Sequence, residues 1–277
     1  MSTADKLNKL LETKQAIKQA IINKGVEVAD DTVFADYPGK IESIMSEGVD
    51  PYYEYLWNGA TNYNTNYFYL FQSYSGSELD VSGLDTSNAI TMMYMFYNCK
   101  TLTELDLSNF DTRNVTIMES MFKECTNLTA VNISSFNTSK VTIMDSMFSG
   151  CNKLAQLDVS HFDMTNVTDI SSMFYGCRAL TSLDCSAWDI SKITGNYDLG
   201  SAFNYCTSLV DFYPPQNINA PMDISGSIAL SHDSFVRILN NLMTVTSTKK
   251  LTLGSKNLAK LSDDEKQIAT SKGWTLA

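Results

Sequence analysis

Six cysteines, two histidines and a surplus of aspartate are the residues in this chain whose chemistry could matter. Four of the cysteines, Cys99, Cys125, Cys151 and Cys177, follow one another at intervals of 26 residues, and Cys206 comes 29 residues later. A bound zinc ion needs closely grouped thiolates or imidazoles, yet no Cys-x-x-Cys occurs and His161 and His232 stand in unrelated contexts. Equal spacing instead sets one thiol at the same point of successive repeats, on an apolar stripe where a free cysteine behaves as a small hydrophobe. A disulfide or a metal is the competing reading of that column. No cofactor and no metal is expected.

Asp80, Asp106, Asn132, Asp158 and Asp184 form a second column at the same interval. Neighbouring carboxylates ~5 Å apart repel by about 1 kcal/mol per pair when well hydrated. One reading is a solvated or turn-bonded ladder. The other is a strand face that takes a cation or another ligand, with Glu104, Gln156 and Ser182 beside it. Calcium wants 6–8 oxygens, which a regular column rarely gathers. Asp85, Asp111, Asn137, Asp163 and Asp189 form a third column whose place in a turn reads as structural. N-x-[ST] triplets begin at Asn114, Asn127, Asn132, Asn137 and Asn166, most of them products of the repeat itself. No Gly-x-Ser-x-Gly, phosphate loop or His-Glu-x-x-His is present, so the expectation is a protein without catalytic chemistry. A glycan-active enzyme with an unrecognised carboxylate pair is the weakest alternative.

The elements that must position these columns follow from the repeat. Met95-Phe96, Met121-Phe122, Met147-Phe148 and Met173-Phe174 recur four to three residues before each cysteine, with Ala202-Phe203 in the fifth copy. Leu105 and Leu107 alternate with Glu104, Asp106 and Ser108, the period of a half-buried strand. Asp111 to Asn114 read as a turn. Val115, Met118, Met121, Phe122 and Cys125 then recur at helical spacing, with Thr116–Glu119 and Thr142–Asp145 as capping pairs of a short helix. One unit cannot bury its own apolar faces, so neighbours must share them. The expected fold is an α/β solenoid, a leucine-rich-repeat-like coil of ~26-residue strand-turn-helix turns with a small helical N-terminal module and an α+β C-terminal cap.

Outside the repeat, residues 1–48 read as a helical attachment and oligomerisation module, with Leu7, Leu10, Ile17 and Ile21 on one stripe and Gly25 as a stop. Residues 49–72 carry Tyr52, Tyr53, Tyr55, Trp57 and Tyr63, either a cap over the first turn or a stacking platform for a sugar. The repeats fill 73–213. Residues 214–277 read as a cap, with a helix from Ser231 to Val245, a strand at Lys250–Leu253 and a helix opened by the Ser262/Glu265 box and ended by Gly273. A loop or bulge is expected at Ile193–Tyr197.

The chain has 277 residues, 44% of them hydrophobic, and a net charge of −11. That balance argues against nucleic acid or an anionic membrane as partner. No apolar run reaches the ~18 residues of a membrane span, and Met1–Lys6 opens without the apolar stretch of a secretory signal.

The unit Leu105-Asp106-Leu107-Ser108-x-Phe110-Asp111-Thr112-x-x-Val115-Thr116, followed by Met121-Phe122-x-x-Cys125, resembles BspA-type leucine-rich repeats. These occur in bacterial surface proteins and phage proteins, and the resemblance runs from about Ser73 to Asp211. It implies a solenoid used for adhesion or recognition. Lys14 to Ile21, Lys24-Gly25-Val26 and Phe34 to Pro38 are similar to the N-terminal module of phage fibre and other virion proteins. That likeness implies docking to virion proteins and a homotrimer. The expected role is a phage head or tail fibre component on the virion surface, assembled in the bacterial host cytoplasm and binding a host-surface glycan or protein. A bacterial surface adhesion protein is the alternative.

Overall fold

The computed structural model describes residues 67–195 and 199–277. The expected N-terminal helix with Leu7, Leu10, Ile17 and Ile21, and the aromatic group Tyr52, Tyr53, Tyr55, Trp57 and Tyr63, lie outside the described residues, as does most of the expected loop after Gly195.

Each 26-residue unit hydrogen-bonds to the next in parallel. Strands β1 (Glu104–Asp106) and β2 (Ala130–Asn132) pair with Leu105 opposite Val131. Strands β3 (Ser182–Asp184) and β4 (Asp211–Tyr213) pair with Leu183 opposite Phe212. Their burial alternates as the sequence predicts: Leu105, Leu183 and Phe212 point inward while the flanking residues are exposed. The Leu157–Val159 copy forms no regular strand, and there Leu157 is only half-buried. A second file of parallel bridges joins Thr91, Ile117, Ile143 and Asp169, one residue per unit.

The expected helix in each unit is replaced by a chain of β-turns. Met118, Ser120, Phe122 and Glu124 donate their backbone N–H groups to Ile143, Asp145, Met147 and Ser149 of the following unit, over 2.7–3.0 Å. Between them, Met121, Lys123 and Cys125 donate three residues back. Beyond its first turn an α-helix returns its N–H groups to its own carbonyls, so it could not give every second N–H to the neighbour. The alternation requires left-handed backbone at Ser120 (φ 53°) and Glu124 (φ 62°), repeated at Ser146, Gly150, Ser172 and Gly176. Successive three-residue turns bring Met118, Phe122 and Cys125 to the inside much as a helix would, which explains the helical spacing. The capping pairs dissolve with the helix. Thr116 and Thr142 donate their hydroxyls to Ile90 O and Thr116 O of preceding units, and Glu119 accepts from Tyr94 Oη.

The core is therefore a set of side-chain files. Phe71, Phe96, Phe122, Phe148 and Phe174 stack with centroids 5.2–5.7 Å apart and planes within 8°. Phe203 continues the stack at 5.7 Å. All six rings are buried. Offset stacking of this kind adds about 0.5–1.5 kcal/mol per pair beyond the area buried.

Past the fifth unit the path changes. Strand β5 (Met222–Asp223) leads to α1 (His232–Asn241), then β6 (Lys249–Thr252), α2 (Ser255–Leu258), α3 (Asp263–Ser271) and β7 (Trp274–Leu276). Sequence reading finds α1, β6 and α3 but not β5, α2 or β7. The three strands form one parallel sheet in the order β5-β6-β7. Helix α1 is N-capped by Ser231, and α3 by the full Ser262/Glu265 capping box. The last unit ends on buried hydroxyls: Ser234 Oγ accepts from Phe212 N and donates to Val210 O, while Ser227 Oγ accepts from Cys206 N and donates to Phe203 O.

Phe148→Ala removes a central ring of the stack and is expected to cost about 3–5 kcal/mol in urea unfolding.

Candidate recognition surface

The strand face brings together most of the residues that the sequence singles out. Glu104 and Asp106 on β1, Asn132 on β2 and Asp184 on β3 all point outward and are exposed, with Gln156 and Asp158 exposed in the unit between β2 and β3. Asp80 precedes them, half-buried. The column does a local job first. Asp80, Asp106, Asn132, Asp158 and Asp184 each accept, through Oδ1, the backbone N–H two residues on, at Ser82, Ser108, Ser134, Ser160 and Ser186. Those bonds hold the Asp106 and Asp158 carboxyls below their usual range, with the backbone amide of Ser108 and the hydroxyl of Ser160 as the leading causes. One lateral bond links neighbours, Asn132 Nδ2 to Asp106 Oδ1 at 2.9 Å, so the amide in the third copy relieves like-charge crowding. Glu104, Gln156 and Ser182, exposed on the same face, make no such turn bond among the described residues. At its far end Arg237 lies over the exposed Tyr213 ring, 4.3 Å from the centroid.

The third column is likewise committed to turns, and a buried threonine file secures it. Thr86 Oγ1 accepts from Asp111 N and donates to Asp111 O; Thr112 does the same with Asn137, and Thr138 with Asp163. Each hydroxyl thus replaces a rung of backbone pairing at the corner.

The five cysteines of the column and Cys185 outside it are all buried, and none of the six forms a disulfide. Each repeating thiol donates to the carbonyl of the phenylalanine one unit earlier: Cys99 to Phe71, Cys125 to Phe96, Cys151 to Phe122, Cys177 to Phe148 and Cys206 to Phe174, over 3.0–3.2 Å. Burial pushes the Cys206 thiol up to about 12 and raises Cys151 and Cys177 as well. A thiol held protonated in this way is a poor nucleophile and a poor metal ligand.

Sequence reasoning missed two surface features. Glu119, Asp145 and Asp169 cluster on the face that carries the turn chain. Burial, then the neighbouring charges of Glu119 and Asp169, pushes Asp145 up to about 7. Burial also raises Glu119, against the bond from Tyr94 Oη. The reading of Glu119 and Asp145 as helix caps hid them. Tyr175 and Tyr205 form an exposed edge-to-face pair with centroids 5.2 Å apart. They come from successive units whose cysteines, Cys177 and Cys206, are 29 residues apart instead of 26.

A family model described as "Mycoplasma protein of unknown function, DUF285" matches residues 55–124 and 103–210, an overlapping pair that spans the repeats. No curated protein and no solved structure matches the chain.

Two predictions follow from this chemistry. Asp145 binds its proton more tightly when folded, so it adds stability below the ordinary carboxylate range and loses it as pH rises towards about 7. Asp145→Asn is therefore expected to raise the melting temperature at pH 8 and to flatten its fall between pH 4 and pH 7. The depressed aspartates act oppositely, at the acid end, and are left intact by this change. The six thiols are expected to stay silent to an aromatic disulfide reagent in the native protein and to react together on unfolding.

Proposed function

The chain belongs to the DUF285 family, and from that premise we propose that it is a non-enzymatic recognition module whose repeats wind into a solenoid and display one face at a surface. The carrying observation is the strand face, where the same outward positions recur in successive units with short polar side chains, and where Glu104 and Gln156 are exposed and make no turn bond among the described residues. Repetition offers many copies of a weak contact. Trimerisation through the Leu7, Leu10, Ile17 and Ile21 stripe would multiply them by avidity. The thiols and the aspartate columns are spent on the fold, which supports a role without catalysis.

The preferred setting is a phage virion, as a head or tail fibre component docked to virion proteins through residues 1–48 and facing a host-surface glycan or protein. That preference rests on the Lys14–Pro38 likeness to virion modules. Display on a bacterial surface is the second reading, favoured by the mycoplasmal description of the family.

Mass spectrometry of purified phage particles is expected to find the chain, and its recovery from cell surfaces without particles would move the assignment to the second reading. The labelled full chain is expected to bind intact host cells saturably, and to sediment as a trimer. Glu104→Ala with Gln156→Ala is expected to weaken that binding about tenfold or more, since each lost hydrogen bond to a ligand is worth about 1 kcal/mol. Neither change touches a turn bond, so the melting temperature should hold. Release of new reducing ends from a polysaccharide would overturn the non-enzymatic reading.

A further inference from the structure

Where the repeats give way to the C-terminal elements, the surface opens into a cleft of about 430 Å³. Its lining has no charged side chain. Four carboxamides, Gln216, Asn217, Asn240 and Asn241, surround it together with Leu242 and Met243.

The orientation of three of these amides is fixed by chemistry. Gln216 Nε2 lies 2.9 Å from Ser186 O, and Asn241 Nδ2 lies 3.1–3.2 Å from Pro214 O and Pro215 O. Asn217 Nδ2 lies 3.1 Å from Asp189 Oδ1. A carbonyl or carboxylate oxygen only accepts, so in each case the nitrogen must face the protein and the amide oxygen is turned the other way. Among the described residues none of these three oxygens has a hydrogen-bond partner. Asn240 is exposed and its side chain has no partner among them either. The backbone enforces the arrangement. Asn217 is held in left-handed conformation (φ 57°), and the bridges Asp189↔Gln216 and Ile218↔Leu242 clamp the segment between the last strand-face unit and the end of α1.

The result is a concave, neutral array of anchored acceptors beside a short apolar strip. We propose that this cleft binds a neutral carbohydrate, whose hydroxyls donate to the Gln216, Asn217 and Asn241 oxygens while a C–H face of the sugar ring rests on the half-exposed Met243. The size suits one or two sugar rings, within the roughly 300–1,000 Å³ of small-ligand sites. A hydroxyl-rich neutral ligand matches acceptors already oriented, and it leaves no charge uncompensated. A metal cation fits less well. The cleft lining itself carries no carboxylate, and the nearby Asp189, which accepts from Ser191 N and Asn217 Nδ2 through Oδ1, is a single acidic group where a tightly held divalent cation needs several charged or carbonyl oxygens. The assignment goes beyond surface recognition by the strand face and is independent of it, since the two share no residue.

The test uses the full chain on an array of neutral and acidic oligosaccharides, followed by calorimetric titration with the neutral saccharide that binds best. Binding in the millimolar range or tighter is expected. Gln216→Ala and Asn241→Ala should each weaken it about fivefold, with a fall in melting temperature no larger than the loss of their own bonds to Ser186 O or to Pro214 O and Pro215 O accounts for. Glu104→Ala with Gln156→Ala on the strand face should leave it unaltered. Any of four results would overturn the proposal: no neutral saccharide retained, only acidic glycans retained, binding lost in the strand-face variant but kept in both cleft variants, or calcium alone saturating the site in a titration that the cleft variants abolish. Failure of cell binding in the strand-face variant, with saccharide binding intact, would bear on the proposed function and leave the cleft in place.

Discussion

Each unit of this protein depends on the next to satisfy its backbone. Every second N–H of the turn chain points out of its own unit at a carbonyl of its neighbour, as Phe122 N does at Met147 O over 2.8 Å. An unpaired backbone amide inside a protein is costly, so the turn chain of a unit cannot change length without orphaning a row of donors. The three extra residues before Cys206 leave Phe174 N and Gly176 N still bonded to Ala202 O and Asn204 O. The equal length of the repeats is the sequence expression of that constraint. The phenylalanine stack and the thiol file answer to it as well, because units held one rung apart place like side chains about 5 Å apart.

The same constraint explains what the polar residues are doing. A cross-section closed by turns leaves corners where no strand pairs, and there the chain substitutes side-chain groups for rungs. Thr86, Thr112 and Thr138 supply both a donor and an acceptor at one corner, and the cysteines supply a donor to each phenylalanine carbonyl. The aspartates bind the amide two residues on and so fix the turn that starts each corner. Many N-x-[ST] asparagines are spent similarly: Asn114, Asn127 and Asn166 donate Nδ2 to Ser87 O, Lys100 O and Ser139 O of the preceding unit. Residue types that look like chemistry are here the fold's own hardware. The exception is the Glu119, Asp145 and Asp169 cluster, where partial burial of like charges sets stability against ionisation near neutral pH.

How much of this could be read from the sequence depends on whether a residue acts within its own column. The spacing of Cys99, Cys125, Cys151 and Cys177 is a column property and is legible at once. So is the inward alternation of Leu105 and Leu183, because period-2 burial needs no knowledge of the neighbour. The turn chain is not. Met118, Phe122 and Cys125 face inward in a turn chain as in a helix, and only the destination of the intervening N–H groups separates the two. The Asp column was legible as a column, but its commitment to turns is plain only once Ser82, Ser108, Ser160 and Ser186 are seen beneath it. Strands β5 and β7 are as short as those of the repeats but stand outside the 26-residue period, so no second copy marks their two or three residues. The cleft draws Ser186, Gln216 and Asn240 from three separate segments, and no spacing rule connects them.

Regularity and specificity pull against each other in such an architecture. A face built from identical units is nearly flat along its length, so it offers contacts in series but no enclosure. Enclosure arises where the register breaks. After β4 the buried Pro214 and Pro215 cannot donate to a ladder, the corner threonine of earlier units has given way to Met164 and then Ile190, and the bridge Asp189↔Gln216 takes over its work. The chain then rises into α1 instead of another turn, and Lys272 caps the end of that helix by donating to Leu239 O and Asn240 O. A repeating strand face that meets a helix end must leave a step between them. In this protein the step is walled by amides, three of which, Gln216, Asn217 and Asn241, give their nitrogens to the fold and keep their oxygens out of it. Side chains half employed by the structure combine rigidity with unused hydrogen-bonding capacity, which is what a binding site requires and what the fully employed columns cannot supply.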